Sequence, residues 1–271
     1  MVDFSAGLII FGEAFSPLFY PMCCFSGPVS SVTETRIFAR WLPGPLPARQ
    51  VLPYQMRYAT KKEVAMILPI PTFQGGGEDA VKFLILDKEP DFFERLEKLW
   101  PVPGGGKSPA PVMVESYSRA PLRVVKVGSF EASFVPGLAD FERLDPRFRL
   151  EDKVWKSLPQ YATWGFAVFK LRKDATTVHP MAFSFPNAQP QMGLFFPTVH
   201  IHDGKVHAEE EFSHTLYCQT PPGRYAPKGW EESARLPVSL GAWQDADLLD
   251  RKDHVYRRSL TGKLPNTDTY A

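Results

Sequence analysis

Cysteine is scarce in this sequence, and its placement excludes a fold held together by disulfides. The three cysteines are Cys23, Cys24 and Cys218, an odd number with two of them adjacent. Small secreted domains that depend on disulfides carry an even and denser set. We therefore expect three reduced thiols.

An excess of charge of either sign is also missing. The chain of 271 residues has 31 lysines and arginines against 30 aspartates and glutamates, which gives a formal net charge of +1. Proteins that bind nucleic acid or an anionic membrane surface carry a basic patch that shows in this balance. The sequence therefore predicts neither nucleic acid nor a membrane as a partner, and leaves a small molecule or a protein.

Long apolar runs are absent as well. Residues Gly7 to Phe11 are apolar, but no lysine or arginine precedes them, and Glu13 soon follows. A secretory signal needs a basic start and a longer apolar core, and a membrane-spanning helix needs about 20 apolar residues. We therefore expect a soluble, cytoplasmic protein.

The common catalytic motifs are missing too. The sequence contains no Gly-x-Ser-x-Gly, no His-Glu-x-x-His, no Cys-x-x-Cys, and no Gly-x-Gly-x-x-Gly after a predicted strand. Gly104 to Ser108 match the end of a phosphate-binding loop, but Pro101 stands where that loop needs a glycine. These absences exclude several large enzyme classes without naming a replacement, so whether the chain is an enzyme stays open.

Proline and phenylalanine, by contrast, are abundant, with 27 and 21 residues. Proline at this density breaks long helices and bounds short strands, and phenylalanine suits the pleated surface of a sheet. The sequence therefore predicts an α+β fold of mostly antiparallel β-sheet, with a few short helices and long loops rich in proline and glycine. We expect a main domain over residues 22–220, preceded by an N-terminal extension (1–21) and followed by a C-terminal segment (221–271) that packs on it.

Alternating patterns predict the individual elements. The clearest helix begins at Asp91, because apolar residues then recur at helical spacing until Pro101. Three strand–turn–strand hairpins are predicted, over residues 51–70, 161–185 and 194–219. Parts of the first two resemble each other, which suggests a duplicated strand unit.

The most distinctive segment is rich in histidine. Five of the six histidines lie between His179 and His214. Asp203-Gly204 between two alternating runs is the strongest short signal for a tight hairpin, because that turn needs positive φ at both central residues. In the register that this turn sets, His200 lies opposite His207.

Side chains alternate between the two faces of a strand, so His200, His202 and His207 are predicted to project from one face, with Glu209 beside them. Opposed residues have Cβ atoms about 5 Å apart, which suits two imidazoles that share a metal ion. Three histidines and a carboxylate are a ligand set for Zn²⁺, Fe²⁺, Mn²⁺ or Cu²⁺. The sequence thus predicts a metal-binding protein or a metal-dependent enzyme, in which the three histidines act as ligands and Glu209 acts as a ligand or general base.

Two alternatives stay open at this point. The same hairpin face is typical of an ordinary solvated surface, in an interaction or scaffold protein without catalysis whose proline-rich loops contact a partner. Cys23 or Cys24 is also a candidate nucleophile for a cysteine-dependent hydrolase. His214 has the parity of the core face and is expected to be a hydrogen-bonded core residue.

Overall fold

The computed structural model describes residues 24–101, 124–127, 130–173, 176–177, 180–201, 203–220, 226–241, 243 and 248–271. Strands take up 41% of these residues and helices 15%. The prediction of a sheet-rich fold with few, short helices is confirmed. The predicted N-terminal extension, and the glycine- and proline-rich stretch that follows Pro101, lie outside the described residues.

The strands within these ranges are mostly short. In chain order they are β1 (Cys24–Phe25), β2 (Ser31–Leu42), β3 (Arg49–Ala59), β4 (Val64–Ile70), β5 (Lys82–Leu84), β6 (Val125–Val127), β7 (Phe130–Val135), β8 (Gly165–Leu171), β9 (Thr176–Thr177), β10 (Met181–Pro186), β11 (Phe195–Phe196), β12 (Glu209–Gln219), β13 (Glu231–Glu232), β14 (Tyr256–Pro265) and β15 (Thr269–Tyr270).

Helices are shorter still. The α-helices are α1 (Phe92–Glu97) and α2 (Asp152–Lys156), and 3₁₀ helices span Leu138–Arg143, Pro146–Phe148, Pro159–Tyr161, Pro190–Met192 and Pro237–Leu240. No helix among the described residues combines the length and the apolar character needed to cross a membrane.

The strands form two large sheets and one small one. The five-stranded sheet has the order β1-β4-β8-β7-β6, and the eight-stranded sheet has the order β13-β14-β12-β2-β3-β10-β5, with β9 beside β3. β11 and β15 form the small sheet. The described strands pair antiparallel, except for the parallel pair of β12 and β2, so the predicted antiparallel character is confirmed.

The main core lies between the two large sheets. Phe169 of β8 and Phe183 of β10 are both fully buried there, with ring centroids 5.9 Å apart. A second core covers the other face of the eight-stranded sheet, where α1 packs Phe92 against Phe38 of β2 at 5.6 Å. The helix predicted to begin at Asp91 is therefore confirmed, and its apolar face explains why it lies on this sheet.

Two strand–turn–strand segments cross from one large sheet to the other. β3 and β4 are joined by residues 60–63 alone, yet β3 belongs to the eight-stranded sheet and β4 to the five-stranded sheet. β8 and β10 divide in the same way, and β3 pairs with β10 while β4 pairs with β8. The hairpins predicted over residues 51–70 and 161–185 are therefore wrong in their pairing. All of β4 is buried, and two covered faces are what a strand inside a layered fold requires.

The C-terminal residues hold the segment that contains His200. The side-chain amide of Asn266 accepts a hydrogen bond from the His200 N–H at 2.7 Å and donates one to its carbonyl at 3.0 Å. The Asp268 carboxylate accepts hydrogen bonds from the N–H groups of Thr198 at 3.0 Å and Val199 at 3.3 Å. These side chains satisfy the backbone hydrogen-bonding groups of the segment, as a neighbouring strand would in a sheet.

Candidate functional site

The histidine-rich segment does not form the predicted hairpin. The chain does bend at this point, where Gly204 has a φ of 74° and the Asp203 side chain accepts a hydrogen bond from the Lys205 N–H at 2.9 Å. The two arms, however, are held by Asn266, whose amide donates to the carbonyls of His200 at 3.0 Å and His207 at 3.1 Å. β12 pairs with β14 and β2 instead, so the predicted register is wrong because a third segment bonds both arms.

His200 lies inside the protein. Its side chain is 1% exposed, and its ring stacks on Phe212 with centroids 4.2 Å apart. The His200 ring also stacks on the ring of His214, with centroids 5.1 Å apart. Aromatic packing therefore fixes the His200 ring.

His207 and Glu209 lie on the surface. The His207 Nε2 is 3.1 Å from a carboxylate oxygen of Asp203, and Glu209 forms an ion pair with Lys263 at 3.0 Å. His202 lies outside the described residues. The structure thus brings together the backbones of His200 and His207 but places one ring in the core and the other on the surface.

No group of three or more histidine, cysteine, aspartate or glutamate side chains in the described part of the chain is arranged to hold a metal ion. The predicted ligand set of His200, His202 and His207 includes a residue outside that part, so this site stays a prediction. The same holds for Glu209 as its general base.

His214 occupies the core face of β12, as its parity predicts, and is 2% exposed. Neither of its ring nitrogens has a hydrogen-bond partner among the described residues. Burial lowers the pKa of this imidazole from 6.5 to about 3. The ring is therefore neutral and apolar in its contacts, and the expected hydrogen bond is not seen.

The described thiols are both in the core. Cys24 is 1% exposed, and its Sγ lies 3.6 Å from the carbonyl oxygen of Val199. Burial raises the pKa of the Cys218 thiol well above its usual range. Reactive cysteines are partly exposed and have lowered pKa values, so neither thiol has the surroundings of a nucleophile. Cys23 lies outside the described residues.

A polar cavity of about 440 Å³ lies beside α1 and β14. Arg257 is fixed in it by Glu97 at 3.3 Å and Glu231 at 2.8 Å, and its guanidinium lies 4.7 Å from the Trp100 ring centre. Tyr217 donates a further hydrogen bond to Glu97. Since Arg257 already forms ion pairs with both carboxylates, we interpret the charged residues around this cavity as a structural ion-pair network. Its lining residues are Glu97, Thr215, Gly229, Glu231, Arg257, Arg258 and Ser259.

A second cavity, of about 320 Å³, opens between the two large sheets where β5 and β6 approach each other. We call it the inter-sheet cleft; it is lined by Glu78, Asp79, Val81, Lys82, Phe83, Val125 and Phe134. Each strand lies at the edge of its sheet, since no strand among the described residues pairs with the outer side of β5 or of β6. A cavity with an apolar floor thus opens between two strands that are paired on one side only within the described chain.

The floor of the inter-sheet cleft is closely packed. Phe83 packs edge-to-face on the buried Phe169, with ring centroids 5.6 Å apart. Phe134 is 4% exposed and lies against Gly165, where even a Cβ atom would come within 2.5 Å of the ring. At the rim, Arg143 forms an ion pair with Glu78. The cleft combines an apolar, tightly packed floor with a charged rim.

Exposed apolar residues lie close in sequence to the residues that line this cleft. Phe73 is 46% exposed and Ile85 is 58% exposed, and both belong to the segment that supplies the lining from Glu78 to Phe83. Val124, 41% exposed, directly precedes the lining residue Val125. No sequence pattern pointed to this site, because its residues are far apart in the chain and meet only through the sheet order.

No protein-family model matches the sequence, and no curated protein matches it. Among solved structures, the crystal structure of baculovirus P35 is similar to the chain, with 12% sequence identity and a TM-score of 0.42. The match covers 89% of this chain and 95% of that chain. A likeness at this level says nothing about activity or partners.

Proposed function

We propose that this protein is an interaction protein whose inter-sheet cleft receives a segment of a partner protein. The observation that supports the proposal is the cleft itself, an apolar cavity of about 320 Å³ that opens between the edges of β5 and β6. Binding sites in β-rich proteins often lie where sheets open, and apolar cavities fix a partner by taking up a side chain.

The surroundings of the cleft favour a protein over a small metabolite. The cavity is at the small end of the range for small-molecule sites, which begins at about 300 Å³. Phe73, Ile85 and Val124, which are close in sequence to the lining residues, are each more than 40% exposed and offer further apolar surface. An apolar centre with a charged rim is typical of protein–protein contacts.

The chemistry of the lining favours binding over catalysis. Its polar residues are Glu78, Asp79 and Lys82, without a histidine, cysteine, serine or tyrosine among the described lining. Glu78 is matched by Arg143, so the rim holds no arranged pair of nucleophile and base.

The proposal is tested with a displayed library of short random peptides, selected on the purified protein. The binding peptides are then measured against Ile85→Asp and Val124→Asp, which place a charge at the margin of the cleft. Leu46→Asp and Val238→Asp are matched controls, because these apolar residues are 87% and 52% exposed and do not line the cleft. All four positions are exposed, so the variants are expected to fold, which circular dichroism verifies.

We expect selected peptides to lose about tenfold or more in affinity for the two cleft variants and to bind the two controls as they bind the unchanged protein. Equal binding to all variants would show that the peptides bind at a surface other than the cleft. A selection that enriches no peptide would refute the proposal.

A further inference from the structure

Within the described part of the chain, β5 has a strand on one side only, and its other side lies beside the cleft. On one side it pairs with β10, with Phe83 opposite Phe183 and Lys82 opposite Ser184. On the other side, no strand of the described chain pairs with it. A strand carries N–H and C=O groups on both sides, and those on the free side need water or another chain as partner.

The pleat of β5 decides where the side chains of an added strand would go. Phe83 packs on the core and forms part of the cleft floor, whereas Lys82, on the other side of the pleat, is exposed and lines the rim of the cleft. Directly opposed residues of neighbouring strands share a face. A residue placed opposite Phe83 therefore points into the cleft, and the residue opposite Lys82 points to solvent beside the ammonium group.

The charges at this edge favour an acidic neighbour. Lys82 forms no ion pair with any described residue. Glu78, on the same lining, already has Arg143. The unmatched charge at the β5 edge is thus positive, and an incoming carboxylate complements it.

We infer that the partner segment binds in extended form as an added strand on β5, with a bulky apolar side chain in the cleft and an acidic side chain next to it at Lys82. The inference rests on the proposed function and deepens it by stating the partner's conformation and chemistry. Main-chain hydrogen bonds to the free edge supply affinity, and the cleft and Lys82 supply selectivity.

The first test is an N-methyl scan of a peptide that the unchanged protein selects. In an added strand only alternate N–H groups face β5, so methylation is expected to weaken binding by about tenfold at every second residue and to have little effect between them. Peptides that bind at the cleft but tolerate methylation everywhere, or lose affinity at helical spacing, would overturn the inference and leave the proposed function intact.

The second test exchanges charges. Lys82→Glu is expected to weaken acidic peptides by about tenfold, and replacing the peptide's acidic residue by lysine is expected to restore binding. Arg258→Glu is the control, an exposed cation on β14 near the other end of the same sheet. Equal losses in the Lys82 and Arg258 variants, or no rescue by the exchanged peptide, would contradict a specific contact at Lys82.

Discussion

The imidazole rings of His200 and His214 lie face to face in the core, with centroids 5.1 Å apart and planes 16° from parallel. Two residues that the sequence places on different segments thus share one buried stack with Phe212. Such a stack is stable only while its rings are uncharged, because burial penalises the imidazolium ion.

This stack makes the fold sensitive to acid. Folding lowers the pKa of His214 from 6.5 to about 3, so its contribution to stability is complete above pH 6.5 and is lost as the pH falls toward 3. We expect His214→Phe to remove this loss, so that its free energy of unfolding at pH 4 relative to pH 7, measured by urea titration, is higher than that of the unchanged protein. His207→Gln is the control on the surface; if it flattens the profile as much, the stack is not the cause.

Asp268 gives a pH dependence of opposite sign. Burial raises the pKa of this carboxyl from 3.8 to about 6, against hydrogen bonds from Tyr161, Thr198 and Val199 that lower it. The stabilisation is therefore complete below pH 3.8 and is lost as the pH rises through 6. Asp268→Asn cannot ionise, so we expect its stability to change less between pH 4 and pH 7 once the effect of His214 is removed. A profile of the doubly substituted protein as steep as that of His214→Phe would contradict this.

Gly165 is required by the close approach of the cleft floor. A Cβ atom there would come within 2.5 Å of the Phe134 ring and 2.6 Å of Thr72 Oγ1. We expect Gly165→Ala to lower the free energy of unfolding by about 1–3 kcal/mol, the usual cost of overpacking a core. Gly137→Ala, where the nearest atom is 3.9 Å away, is the control and should change it little. Equal stabilities in urea would show that the floor yields easily.

The predicted metal site is tested by two single substitutions and elemental mass spectrometry. His200 is packed on Phe212, so we expect His200→Ala to cost about 2 kcal/mol or more of unfolding free energy. His207 is exposed, so His207→Ala should stay within about 0.5 kcal/mol. Because the two rings lie apart, we expect the content of Zn²⁺, Fe²⁺, Mn²⁺ and Cu²⁺ per chain to be the same in both variants as in the unchanged protein. Stoichiometric metal that both substitutions remove would instead establish the predicted ligand set with His202.

Local patterns predicted local structure well. The spacing of Phe92, Phe93 and Leu96 after Asp91 identified α1, and the alternation along residues 209–219 placed His214 in the core. Asp203-Gly204 marked a bend of the chain, but not the predicted hairpin. Local patterns could not predict which segment bonds the chain on either side of Asp203-Gly204. Asn266 does so from a distant part of the chain, and the sequence around it gives no sign of this.

The candidate site was beyond prediction for the same reason. β5 has only three residues, too few to show a pattern that separates an edge strand from an interior one. Whether it lies at an edge depends on the order of all the strands in its sheet, and the cleft depends on the order in both sheets. The order of strands in a sheet does not change the hydrophobic periodicity of each strand, so a single sequence does not reveal it.

The crossing of β3–β4 and β8–β10 between the sheets has a consequence for synthesis in the cell. Each strand of the first segment finds its partner in the second, which lies much later in the chain. A nascent chain therefore cannot complete the five-stranded sheet until β8 has left the ribosome, nor the eight-stranded sheet until β14 has, and phenylalanine-rich strands made earlier stay exposed until then. Such non-local pairing slows folding and favours association with chaperones during elongation.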